Sequence, residues 1–147
     1  MTTHAESRIL PYPADLMYAI VSDVEKYPEF LPWCVALRVL SKERVKERDV
    51  LRAEMLVGCG ALRESYTSRV VLDAAARTID VVQTDGPFRQ LESRWGFAPE
   101  GEGCRVDFSI AFEFKNRLLN AVAGNAFEQA LLKMTDAFEA RARALLH

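Results

Sequence analysis

The chain has 147 residues, half of them apolar and 27% charged, with a formal net charge of −2 at neutral pH. That length suits one domain, 1–147, able to bury roughly 70% of the surface its unfolded form exposes, so it needs neither disulfide nor metal to fold. The slight negative balance argues against a protein held to nucleic acid by bulk charge, because such binding sets many Lys and Arg against phosphates, and DNA is not an expected partner.

The first strand is read over Glu6 to Leu10 and is ended by Pro11 and Pro13. From Asp15 the spacing turns helical. Leu16, Ala19, Ile20 and Val24 recur at three and four and share a face, and Asp15 suits the positive end of the helix dipole. Asp23 is placed to cap a second short helix that must end near Pro28, since the residue before a proline is driven from helical angles. Tyr27-Pro28-Glu29-Phe30-Leu31-Pro32-Trp33-Cys34 is too stiff for a long helix and too apolar for a free loop, so an ordered, packed turn is expected.

From there to Phe114 the chain alternates with period two. Val35, Leu37 and Val39 share one face, as do Leu51, Ala53, Met55 and Val57. Leu62, Tyr66, Val70 and Leu72 follow, with Glu64 and Ser68 on their side. Then come Ile79 and Val81, then Leu91, Trp95 and Phe97. The last strand alternates most strictly, with Val106, Phe108, Ile110, Phe112 and Phe114 opposite Arg105, Asp107, Ser109 and Glu113. Such alternation marks an antiparallel meander with one face in the core. Turns are signalled at Gly58 and Gly60, at Asp85-Gly86-Pro87 and at Gly101-Glu102-Gly103.

Helical spacing returns near Asn116. Phe127, Leu131, Met134, Phe138 and Leu145 form one stripe, with Ala130 and Ala137 beside it and a weak point at Gly124-Asn125, because Gly costs about 1 kcal/mol inside a helix. The expected architecture is α+β. A curved antiparallel sheet of about seven strands wraps a long C-terminal helix, with two short helices after the first strand. Sheet and helix each have an apolar face that only the other can cover. The space between them is where a small-molecule pocket would form.

Catalytic and metal signals are weak. Cys34, Cys59 and Cys104 lie far apart with no CxxC pair, and His4 and His147 sit near the two ends. Zinc needs clustered ligands, so no metal or catalytic cofactor is expected, and the thiols read as small semi-buried apolar side chains in a reducing compartment. Both histidines are expected in solvent, and no P-loop, GxSxG or GxGxxG is present. No signal-peptide pattern opens the chain, and no apolar run approaches the ~20 residues of a membrane span. The expected location is cytoplasmic, with room for peripheral contact at the inner membrane.

Four motifs carry a resemblance. Tyr27–Cys34, Leu62-Arg63-Glu64-Ser65-Tyr66, Asp85-Gly86-Pro87-Phe88-Arg89 and Leu91-Glu92-Ser93-Arg94-Trp95-Gly96-Phe97 resemble the coenzyme Q-binding START-domain family, which includes the bacterial ribosome association toxin A proteins. The resemblance runs from about Ser7 to Leu145. It implies a helix-grip fold of the polyketide cyclase-like superfamily and no shared catalytic residues. It also implies either binding of ubiquinone or a related polyprenyl quinone in support of respiration, or binding to the large ribosomal subunit so as to block subunit association.

A ligand-binding set follows from the faces. Phe30, Leu31 and Trp33 form a flap over the pocket or a plug at one end of the core. Met55, Trp95, Phe112, Phe127, Leu131 and Met134 line the interior, and Met134 has the adaptability a flexible tail requires. Glu64, with Tyr66, either bonds a polar head group or is a strand-end residue paired with a neighbouring arginine or displaced by a bulge. An ionised Glu64 has no proton to give a quinone carbonyl, so the head-group role requires a raised pKa or a bridging water. Arg63, Arg69, Arg89 and Arg94 face outward, as a salt-bridged surface or as a docking patch for ribosomal RNA or anionic lipid.

Overall fold

The last strand shows why the chain folds as it does. In the computed structural model, which describes residues 1–60 and 62–146 and only the backbone of Cys59, strand β7 (Gly103–Phe114) buries Cys104, Val106, Phe108, Ile110, Phe112 and Phe114 in strict alternation. Beside it lie β6 (Phe88–Glu100), β5 (Thr78–Asp85), β4 (Leu62–Asp73), β3 (Arg48–Cys59) and β2 (Cys34–Val45). β1 (Thr2–Leu10) pairs with the other side of β7, so the seven antiparallel strands run in the order β1-β7-β6-β5-β4-β3-β2. The concave face holds the helices α1 (Ala14–Ser22), α2 (Arg117–Leu132) and α3 (Met134–Leu145). This is the helix-grip arrangement that the alternation and the resemblance both indicate.

Several details differ from the local reading. β1 begins at Thr2, because its pairing with β7 extends to Phe112. Its inward positions His4, Glu6 and Arg8 are polar and escape a search for apolar alternation. Helix α1 buries Ala14, Met17, Ile20 and Val21 while Ala19 is exposed, a face rotated from the expected one. Val24–Glu29 forms a 3₁₀ helix with Asp23 at its cap position, but the Asp23 side chain makes no cap hydrogen bond. In β2 a bulge falls between Cys34 and Ala36, so Val35 leaves the inward face and stands 42% exposed.

The C-terminal helix is interrupted at Lys133, where the N–H reaches the carbonyls of Ala130 and Leu131. Helix α2 passes unbroken through Gly124, the expected weak point. Its start is capped by Asn116, whose side-chain oxygen accepts from the Leu119 N–H at 2.8 Å. Below the break, Thr135 is buried and donates to Glu6 at 2.9 Å, while Arg8 binds Asp136 at 2.6 Å and Glu139 at 3.3 Å. Polar groups of β1 thus anchor α3. Leu145, expected on the apolar stripe, is 52% exposed at the end of α3.

Phe127 of α2 closes the opposite end of the grip. It meets Phe112 at 4.9 Å, Phe88 at 5.1 Å and Phe114 at 5.8 Å between ring centroids. Close approach of α2 to the β3–β4 turn depends on Gly60, which has φ +60° and where an added Cβ would lie 2.7 Å from that of Ala126.

Candidate functional site

The segment Tyr27–Cys34 is the ordered turn expected of it. The Leu31 N–H bonds the Tyr27 carbonyl at 2.9 Å, the Cys34 N–H that of Leu31 at 3.0 Å, and the Gly58 N–H of β3 that of Trp33 at 2.9 Å. This clamp directs Leu31 and Trp33 toward the helices. Behind them is a cavity of about 90 Å³ between sheet and helices. Met55 and Val57 wall it from β3, Tyr66 from β4, Trp95 from β6, Phe127 and Leu131 from α2, and Met134 and Phe138 from α3. A second chamber of about 60 Å³ adjoins it, sharing Tyr27, Met55, Tyr66, Val81 and Trp95.

Eight of the eleven expected ligand residues therefore converge: Leu31, Trp33, Met55, Tyr66, Trp95, Phe127, Leu131 and Met134. Leu31, Trp95, Phe127 and Leu131 are buried, whereas Trp33, Met55, Tyr66 and Met134 keep partial accessibility. Three residues fall elsewhere. Phe30 packs on Phe138 at 5.5 Å beneath the Arg141 guanidinium and faces a shallow cleft beside α1. The backbone hydrogen bonds of this turn direct Leu31 inward and leave its neighbour Phe30 pointing away. Phe112 is buried behind Phe127 and serves the core. Glu64 is half-buried on the inward side of β4 opposite Val57, as counting by two indicates, but it walls neither chamber. It sits two residues nearer the β3–β4 turn than Tyr66, and makes no hydrogen bond or ion pair with another described residue.

Residues outside the expected ligand set share the walls, among them Tyr27, Val57, Val81, Leu91, Ser93, Ile110 and, in the smaller chamber, Ser68. Most share the alternation already noted, which marks a face but not which of its members border a void. No charged side chain among the described residues lines either chamber. The polar side-chain groups among the lining residues are the hydroxyls of Tyr27, Tyr66, Ser68 and Ser93 and the indole N–H groups of Trp33 and Trp95. Tyr27 O–H donates to the Val21 carbonyl, and Tyr66 O–H to Met55 Sδ at 3.5 Å. Burial raises both phenols far above their ordinary range, so they stay neutral donors. Nearby, burial pushes the Cys34 thiol up to about 11, and it remains protonated.

Outside the grip, Arg63, Arg69, Arg89 and Arg94 are exposed as expected, and Arg94 lies 3.7 Å from Asp80. A roomier depression of about 440 Å³ opens where β7 meets α2, with Arg89, Lys115 and Arg117 on its walls. The interior chambers are the better small-molecule candidate, because ligand sites are enclosed and mostly apolar with few polar groups. His4 is less exposed than expected, half-buried beside Phe108 and 3.4 Å from Glu6, while His147 lies outside the described residues. Cys34 and Cys104 are buried free thiols. No helix among the described residues is long and apolar enough to cross a membrane.

Comparison with known proteins agrees with this architecture. The chain is 40% identical over 147 residues to the ribosome association toxin RatA of Pseudomonas aeruginosa, covering 99% of both. It is 35% identical to a mitochondrial coenzyme Q-binding protein, COQ10 homolog B, of Xenopus laevis, covering 95% of this chain and 57% of that one. The solution structure of an 18 kDa Caulobacter crescentus protein superposes with a TM-score of 0.81 at 39% identity, over 99% of this chain and 98% of that one. The polyketide cyclase / dehydrase and lipid transport profile matches residues 10–139, and the chain belongs to that family.

Proposed function

We propose that the protein binds a neutral, apolar small molecule inside the grip, a polyprenyl quinone of the ubiquinone type, and carries it without chemical change. The observation that carries this reading is the pair of adjoining chambers walled mainly by apolar side chains, with neutral hydroxyl and indole N–H groups as their polar side-chain groups. A catalytic cyclase would need a group able to move protons at neutral pH, and buried neutral tyrosines are poorly suited to that. Each buried CH₂ is worth ~0.8 kcal/mol relative to water, so a prenyl tail does not leave a bilayer unaided. An apolar chamber offers it nearly the same environment, which makes exchange close to neutral. The relative named as coenzyme Q-binding supports the choice of ligand.

The chambers measure about 90 and 60 Å³, whereas a cavity that admits benzene measures ~150 Å³. A quinone ring therefore enters only as the walls yield. Met55 and Met134, unbranched and partly accessible, are the side chains best able to move. The tail leaves past Trp33 and remains in lipid or along the surface. The test is mass spectrometry of an organic extract of the purified protein, together with titration by decyl-ubiquinone. A co-purified quinone, or saturable micromolar binding, is expected. Neither one appearing would end this reading.

A second reading, association with the large ribosomal subunit from a cytoplasmic location, is favoured by the 40% identity to a protein named as a ribosome association toxin. It would use the outer surface, where Arg89, Lys115 and Arg117 offer positive charge to phosphates. Co-sedimentation with 50S particles, weakened by salt and by Arg89→Glu/Arg117→Glu, is its expected signature. Absence of co-sedimentation at low salt would remove it.

A further inference from the structure

Ser68 is 5% exposed, and its Oγ is a buried side-chain oxygen without a hydrogen-bond partner among the described residues. Buried hydroxyls are normally satisfied, because stripping one of water without replacement is costly. The buried Thr135 follows the rule by donating to Glu6 at 2.9 Å. Ser68 does not, for reasons visible in the sheet. Its partner across β3 is Ala53, which has no polar side chain. Its partner across β5 is Gln83, whose amide is committed to the backbone of Phe88 on both sides, at 2.7 and 3.1 Å. Two residues along the same face, Tyr66 spends its phenolic proton on a thioether sulfur, a weak acceptor.

Both residues border the smaller chamber, and Tyr66 borders the larger one as well. We propose that Ser68, with Tyr66 beside it, is the hydrogen-bonding anchor of the site and receives a neutral carbonyl oxygen of the ligand, which therefore lies with its polar end toward Ser68 and its hydrocarbon toward Trp33 and Met134. This rests on the ligand-binding reading above and places the polar end away from Glu64. A carboxylate is a poor occupant, because no cation among the described residues lines the chambers to compensate it. A carbonyl suits both donors: it needs no counter-charge and is a far stronger acceptor than sulfur.

The test compares two probes of the same shape, 2,3-dimethyl-1,4-naphthoquinone and 2,3-dimethylnaphthalene, binding to the full chain and to Ser68→Ala. The methyl groups block addition of protein thiols to the quinone. The expected result is that the parent prefers the quinone. Ser68→Ala should then weaken quinone binding about tenfold, leave hydrocarbon binding within twofold, and melt no lower than the parent, since it removes an unsatisfied group. The carbonyl stretch of the bound quinone should lie below its value in hydrocarbon solvent and move back toward it in Ser68→Ala. Equal quinone affinity and an unshifted carbonyl band in both proteins would overturn the anchor while leaving the apolar site intact. Failure of the parent to bind either probe would instead overturn the ligand-binding reading itself, and the anchor with it.

Discussion

Replacement of Phe127 by alanine tests whether α2 is docked as described. Phe127 is 4% exposed and packs against Phe88, Phe112 and Phe114 with centroids 4.9–5.8 Å away. Truncating a core Phe costs about 3–5 kcal/mol, of which the void contributes about 24 cal/mol per Å³. Here the new space opens into an existing cavity of about 90 Å³, so the walls are poorly placed to collapse into it. The loss should fall in the upper part of that range, about 4 kcal/mol. For a domain of this size each kcal/mol moves the midpoint by about 2–4 °C, so thermal unfolding should shift down by about 10–15 °C. Urea unfolding should show a lower midpoint with an unchanged slope if the native fold persists. A shift within about 2 °C would refute the reasoning, because it would mean that Phe127 is not held between sheet and helix.

Three further outcomes are expected. Val81→Phe, directed at the wall common to both chambers, should abolish decyl-ubiquinone binding while changing stability by no more than about 1–3 kcal/mol; retained binding in a titration would place the ligand elsewhere. Arg8→Ala should release the β1–α3 link to Asp136 and Glu139, lower stability by about 1 kcal/mol after screening of these partly exposed groups, and raise hydrogen exchange in α3 selectively. Stability should fall as pH rises above 9, where the thiol of Cys34 ionises in the unfolded chain but stays protonated in the folded one, and this contribution should level off near pH 11. The slope from one such group is at most about 1.4 kcal/mol per pH unit, and Cys34→Ala should flatten it in urea titrations at successive pH values.

Where the sequence was legible, it was so because burial repeats with the period of the backbone. Val106 through Phe114 can be read as a half-buried strand without knowing its neighbours, and Phe127, Leu131 and Phe138 as one helical face. The Tyr27–Cys34 turn is announced by its two prolines and large apolar side chains. Turns without glycine were not legible. The β2–β3 hairpin turns at Lys46 and Glu47, with φ of 49° and 67°, and the β4–β5 turn places Arg77 at φ 53°. Nothing in those residue types announces left-handed backbone, which they adopt because the paired strands require it. The bulge at Val35 has the same origin.

The candidate site divides along the same line. Composition and periodicity by themselves determined that a sheet with one apolar face would close on an apolar helix, and hence that inward residues such as Met55, Tyr66, Trp95, Phe127 and Leu131 would face one another. They could not separate Leu31, which reaches the cavity, from Phe30, which does not, because the backbone clamp on Trp33 and Gly58 sets that direction. Nor could they rank Glu64 against Ser68, two residues of the same face. Whether an inward polar group meets a void, a partner or water depends on what the adjacent strands present, and those neighbours are distant in sequence. Only the tertiary structure decided that Gln83 is already engaged, that Ala53 has no polar side chain to offer, and that the hydroxyl of Ser68, beside the smaller chamber, is left without a partner among the described residues.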